Sequence, residues 1–148
     1  MVLTMQSRII APSAPALGLR QNLHFALWGA QGVLAVLFAL GGFMKASTPI
    51  PELALHMVWA ADVPEALVRF IGVSQLLAAA GLVVPGLTKV KPSLTPLAAA
   101  GLALTMLLAA LFHLTRGELF MLPMNAGLGA LAALVVWGRF RKLPLKAR

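Results

Sequence analysis

The sequence predicts an all-helical, membrane-embedded bundle of four spanning helices, with a short interfacial helix between the first and second spans. Three observations predict it. Only 11% of the 148 residues are charged and 60% are hydrophobic, whereas a soluble domain carries about 25% charged residues. Four apolar runs, over residues 23–44, 65–84, 97–114 and 119–137, come close to the roughly 20 residues that a helix needs to cross a bilayer core. Charge then alternates between the connecting segments. The stretch before the first run, the link between the second and third, and the C-terminal tail hold bases and no acids, while Glu52, Asp62, Glu65 and Glu118 all fall on the other side. Lys and Arg mark the cytoplasmic side, so both termini are expected in the cytoplasm, beneath a bacterial inner membrane. The expected organisation is a cytoplasmic tail over 1–22, a four-span domain over 23–138 and a basic cytoplasmic tail over 139–148.

The composition excludes several functions. The chain has no cysteine, which removes disulfides, thiol catalysis and thiolate metal sites. A net charge of +8 points to nucleic acid in a soluble protein. Here the bases sit beside apolar runs without interleaved aromatics, so anionic lipid and topology account for them. No Walker loop, dinucleotide fingerprint or helical metal-binding histidine pair occurs. Ser74 and Asp62, with His56 or His113, lack any spacing that supports nucleophilic catalysis. The expectation is an accessory protein without an intrinsic cofactor rather than a stand-alone enzyme.

Taken in order, residues 1–22 contain Pro12, Pro15 and Gly18 and read as an irregular tail. The following apolar run, over 23–44, exceeds the apolar region of a signal peptide, about 7–15 residues, and reads as a retained helix. Gly29 and Gly32 share a face suited to close helix approach, and Gln31 suits an interhelical hydrogen bond. Beyond Lys45, Thr48, Pro49 and Pro51 break the chain. Residues 52–60 read as a short helix on the outer surface, anchored by Leu53, Met57 and Trp59, with His56 toward solvent. Asp62 and Glu65 resemble a capping box that opens the second span, with Pro64 between them. Pro85-Gly86 reads as its stop. Thr95 as cap, followed by Pro96, starts the third span. On it Gly101, Thr105, Ala109 and His113 recur every four residues, a small-residue stripe expected to face inward. Thr115–Glu118 allows only a tight connection. The fourth span carries Pro123, Asn125 and the small pair Ala126 and Ala130, and Trp137 marks its inner interface.

One residue sets the functional question. An arginine on a spanning helix costs about 2.5 kcal/mol or more near the bilayer centre, so Arg69 needs a partner. Glu65, four residues earlier, lies on the same helical face. With a rise of about 1.5 Å per residue, Gln75 falls near mid-membrane, Asn125 slightly above it, and Arg69 and His113 about two turns further out. Lys45, Arg116 and Glu118 stand at the outer rim, while the inner half holds only Gln31 and His24. This asymmetry predicts an outer-half polar pocket built from Lys45, Glu65, Arg69, Gln75, His113, Glu118 and Asn125, with Met106 as an apolar wall. A second reading has the same weight: the groups satisfy one another in a purely structural network.

The run ADVPEALVRFIGVSQLLAAAGLVVP over 61–85 resembles the second helix of DoxX-like proteins. Phe38, Gly42 and Lys45 match that family's first-helix ending, Met106, Ala109 and His113 its third helix, and Asn125 a frequent asparagine of its fourth. The resemblance covers residues 23–139 and implies a four-helix membrane bundle. The family is similar to the small membrane subunit of thiosulfate:quinone oxidoreductase, and it includes organisers of membrane redox complexes and distant receptor-assembly chaperones. Where its members commonly have glutamate this chain has Gln75, which cannot ionise, so no proton role carries over to that position. Two functions follow. One is a redox-accessory protein that binds quinone or a similar amphiphile, with Arg69, His113 and Asn125 donating to its carbonyl oxygens, Gln75 and Met106 along its ring, and a redox partner in the membrane. The alternative is an assembly or chaperone module that acts by helix packing on a client protein or a second copy of itself.

Overall fold

The structure, a computed structural model, describes residues 14–147, and every regular element in that range is helical. The elements are α1 (Ala14–Ser47), the short α2 (Ile50–Ala54), α3 (Glu65–Thr88), α4 (Leu94–Thr115) and α5 (Leu122–Trp137). Single turns of 3₁₀ helix occupy Val58–Ala61 and Leu119–Met121, and a π-helical turn, Gly138–Lys142, extends α5. Four stretches are long and apolar enough to cross a membrane: Leu17–Ser47, Glu65–Thr88, Leu94–Thr115 and Leu119–Lys142. Around the bundle α1, α3, α4 and α5 each pack on the next, and α5 closes back on α1.

Element boundaries depart from the sequence reading in instructive ways. Helix α1 begins at Ala14, so only residues 1–13 of the expected irregular tail fall outside the described range. Pro15 lies in its first turn, where a missing N–H leaves no intrahelical bond unmade. Helix α3 does not stop at Pro85-Gly86 but runs on to Thr88, and Lys89 ends it in the left-handed conformation, φ 59°. A proline inside a spanning helix is tolerated where neighbours supply the freed backbone groups with partners. The carbonyl that Pro85 leaves without its helical donor is that of Gly81; one residue on, Gln31 of α1 donates Nε2–H to Leu82 O at 2.6 Å. The expected interhelical bond of Gln31 is thus present. Thr95 is not the cap of α4. The turn before it, with φ 59° at Lys89 and 45° at Lys91, delivers Leu94 N–H to Lys91 O, and the helix starts there with Thr95 buried in its first turn.

The segment between α1 and α3 is not one helix. Helix α2 and the 3₁₀ turn fold over the end of the bundle and bury Leu53 and Ala60 against Val68 of α3, with Met44, Trp59 and Val63 around them. This small second core caps the end of the bundle opposite to the chain termini. The main core lies between the long helices and is made by Leu34 and Phe38 of α1, Leu82 of α3, Leu102 and Met106 of α4 and Val135 of α5. Leu40, Phe70, Leu77 and Leu108 point away from it and are exposed, as lipid-facing side chains are.

Close helix approach occurs at a different pair of glycines from the one expected. A Cβ at Gly72 would lie 2.7 Å from the backbone nitrogen of Ala46 and 2.8 Å from the carbonyl oxygen of Gly42. Gly29, by contrast, has open space around it and is exposed. The small stripe of α4 also departs from expectation. Gly101 is exposed, Thr105 is half-buried with its hydroxyl on the Gly101 carbonyl, and only His113 is buried. Leu102 and Met106 take the inward face instead, because their volume fills the core that small residues would leave empty. Ala126 and Ala130 of α5 are likewise exposed.

Replacing Gly72 by valine should push α1 off α3, at a cost on the order of 3 kcal/mol. Gly29→Ala should change stability by no more than about 1 kcal/mol. Thermal unfolding of both variants in detergent tests the pair. Equal melting temperatures would show that the α1–α3 contact does not hold the bundle.

Candidate functional site

At the capped end Arg69 has the partner its cost demands. Its Nη2 donates to Glu65 Oε1 at 2.9 Å and its Nε to the same oxygen at 3.2 Å. Its Nη1 reaches across to α1 and donates to the carbonyl oxygens of Lys45 and Thr48 at 2.8 and 2.7 Å. The last carbonyls of a helix have no intrahelical donor, so Arg69 caps α1 from a neighbouring helix and puts positive charge at the negative end of its dipole. Beneath it Lys45 is buried, and its Nζ donates to Gly41 O at 3.1 Å and to Gln75 Oε1 at 3.2 Å. Both acceptors are neutral, and an ammonium has three N–H donors. Among the described residues one of them has no partner.

A second group surrounds the α4–α5 turn. His113, in the last turn of α4, donates Nδ1–H to Glu118 Oε2 at 2.6 Å. Arg116 donates Nε to the other Glu118 oxygen at 2.8 Å and Nη2 to Asp62 Oδ2 at 2.6 Å. Asp62 therefore does not box the start of α3. Pro64 holds that N-cap position without a side-chain bond, and the carboxylate ties the cap segment to the α4–α5 turn. The Arg116 guanidinium also lies 5.5 Å from the centre of the Phe112 ring, which Trp59 meets edge-on at 6.1 Å. No hydrogen bond among the described residues joins this group to that of Arg69 and Lys45. Asn125, at the start of α5, is 4% exposed, and its Nδ2 is buried without a partner. Met106 lies in the main core.

The opposite end holds a group that the sequence reading missed. Arg139, counted there as a solvated base of the tail, is 2% exposed. It donates Nε to Gln31 Oε1 at 2.7 Å, approaches His24 Nδ1 and Leu143 O at 3.5 Å each, and lies 5.4 Å from the centre of the Trp28 ring. Its Nη2 has no partner. A Cβ at Gly138 would collide with the Leu27 side chain, so α5 meets α1 closely just where its helix widens and carries Arg139 inward. The signal was in α1. His24, Trp28 and Gln31 are spaced by four and three residues and form one polar, aromatic face that needs an inner-end partner. The end of the bundle with the chain termini therefore holds Arg139 as well as the expected Gln31 and His24.

Arg116 first, and His113 second, hold the Glu118 carboxyl below its ordinary value of 4.5. A carboxyl depressed in the folded state contributes stability that is present above its unfolded value and lost as pH falls through the folded one. The melting temperature should accordingly fall as pH drops below about 4.5, and Glu118→Gln should lower it at neutral pH while flattening that acid slope. A slope unchanged in Glu118→Gln would remove this carboxylate from the acid response. Gln75→Glu should keep or raise the melting temperature, since it gives the buried Lys45 ammonium a counter-charge. Gln75→Leu should cost about 3 kcal/mol.

The DoxX-like family model matches residues 29–135, from the middle of α1 to the last turn of α5. No curated protein and no solved structure matches the chain. The match covers more than two thirds of the sequence and takes in the cap and all four long, apolar helices, so the chain is an integral membrane protein of the DoxX-like family.

Proposed function

We propose that this protein is a redox-accessory subunit of a bacterial inner membrane, with both termini cytoplasmic, that binds a quinone or similar amphiphile in the outer half of the bundle. One observation carries the reading: the Asn125 amide is buried in a membrane helix with its Nδ2 donors unused. Leaving such a group unpaired costs about 1–3 kcal/mol, which a ligand carbonyl would offset. Lys45 adds a donor of its own, held by Gly41 and Gln75 but not neutralised. His113 adds its Nε2, because Glu118 fixes the ring through Nδ1. Arg69 takes a supporting part here rather than the donor role its position first implied, since Nε and both terminal nitrogens already serve Glu65 and the end of α1.

These residues fit an amphiphile with carbonyl oxygens on an apolar ring. Asn125 and Lys45 would donate to an oxygen, His113 would hold or accept a proton at Nε2, and Gln75 and Met106 would line the ring. A bound quinone supplies reversible two-electron, two-proton chemistry, and a membrane redox partner exchanges the electrons. A second reading, an assembly module for a client protein or a second copy of the chain, draws on the small residues that face outward. Gly101 and Gly127 have open space around them, and Ala126 and Ala130 are exposed.

Titration of the purified protein with a short-chain ubiquinone analogue, read by tryptophan quenching, tests the first reading. Asn125→Leu should weaken binding at least about tenfold, a loss of about 1.4 kcal/mol. It should also stabilise the fold by about 1 kcal/mol, because a buried unpaired amide is gone. Equal affinity in the variant and the native protein would remove the ligand assignment. Crosslinking in native membranes that captures a partner through α4 and α5 would then favour the assembly module.

A further inference from the structure

Arg139 stands at the wall of a cavity that the proposed ligand site does not use. The cavity, about 220 Å³, lies at the end of the bundle with the chain termini. Pro92, Ser93 and Pro96 at the start of α4 form one side, and Phe140, Pro144 and Leu145 of the C-terminal segment form the other. The guanidinium is 2% exposed, yet its Nη2 has no partner among the described residues. Its other nitrogens meet only neutral acceptors: the Gln31 amide, a histidine nitrogen and a backbone carbonyl. No acidic side chain can supply the missing charge. The chain has four acids, and all of them, Glu52, Asp62, Glu65 and Glu118, belong to the capped end.

An arginine is charged at any physiological pH, and this buried one meets no acid among the described residues. Taking an unpaired charge out of water costs several kcal/mol, and that cost falls when an anion fills the cavity. The neighbouring residues agree in sign. Lys91 precedes Pro92, Arg141 and Lys142 follow Phe140, and Lys146 follows Leu145. The volume is below the roughly 300 Å³ at which pockets for drug-sized ligands begin, which suits one small head group. Arginine's planar fork matches phosphate oxygens in particular.

We infer that this cavity binds a phosphate group through Arg139, and that the phosphate belongs to a membrane phospholipid whose head group is anionic overall. A neighbouring feature favours the lipid over free phosphate. Phe140 also borders a larger apolar groove between α4 and α5, about 1120 Å³, lined by Ala100, Ala103, Ala133 and Val136, with Arg141 and Lys142 at its rim. The groove faces outward from the bundle, where an acyl chain lies, and the alanines leave the room for it. Basic pockets between spanning helices are known to hold anionic lipid head groups.

Native mass spectrometry of the full-length protein in neutral detergent tests the assignment with three probes: phosphatidylglycerol, phosphatidylcholine and inorganic phosphate. Phosphatidylglycerol should bind at least tenfold more tightly than phosphatidylcholine, and Arg139→Gln should abolish that preference. Arg141→Gln combined with Lys142→Gln, which removes rim charge but keeps the buried cation, should weaken binding less than Arg139→Gln does. Ser93→Trp, at an exposed position on the cavity wall, should block binding without touching Arg139, and so covers the case in which Arg139→Gln does not fold. Inorganic phosphate bound as tightly as phosphatidylglycerol, with the same dependence on Arg139, would overturn the lipid assignment. If Arg139→Gln and Ser93→Trp both bind phosphatidylglycerol as the native protein does, or if the two lipids bind alike, the site does not exist.

Discussion

Hydrocarbon offers no hydrogen bonds, and the whole structure answers to that constraint. Any polar group carried into the membrane has to find its partner inside the protein. Gln31 satisfies a carbonyl beside Pro85, Arg69 satisfies the carbonyls at the end of α1, and Glu118 orients His113 and Arg116 together. Against this background the exceptions stand out. Among the described residues the amide nitrogen of Asn125, one guanidinium nitrogen of Arg139 and the hydroxyl of Thr95 are buried without partners. In a solvent that cannot compensate, an unpaired donor is either a defect or half of a binding site.

Helix α1 distributes these polar groups. Reading along it, Trp28, Gln31, Phe38, Gly42 and Lys45 fall on one inward-facing stripe at spacings built from three and four residues, with the exposed His24 one turn before it. The stripe meets Arg139 at the end with the chain termini, the α3 backbone at Leu82, the close approach at Gly42 and Gly72, and Gln75 and Arg69 at the capped end. It therefore links the chemistry of both ends through one rigid element. The charge distribution then divides the two ends. Acids cluster where the cap and the α4–α5 turn meet, so that Arg69 and Arg116 are paired there, while the cations of the other end lack acidic side chains.

Much of this was legible in the sequence, because some interactions are local. The four apolar runs show as length, Glu65 and Arg69 as a spacing of four, and Gln31 as an interhelical hydrogen bond. What was not legible depends on residues far apart. Asp62 reads as a helix cap until Arg116, 54 positions away, takes its carboxylate. Pro85 reads as a stop, yet α3 runs past it to Thr88 with Pro85 buried against its neighbours. Arg139 reads as a solvated tail charge because counting bases outside a span assumes that they stay outside. The glycine at 138 and the widened turn that follows it carry this one in. Small residues mark a face but not its neighbour, which is why Gly42 rather than Gly29 makes the close contact.

The account stands on the unpaired nitrogens of Asn125 and Arg139 being completed by something other than this chain. An experimental structure of the protein in a lipid nanodisc containing phosphatidylglycerol and a quinone analogue measures this directly. Density that belongs to neither protein nor water should lie at hydrogen-bonding distance, about 3 Å, from Asn125 Nδ2 and from Arg139 Nη2. Should both nitrogens instead be bonded to groups of this chain, with nothing else beside them, the bundle is self-sufficient and neither site is real.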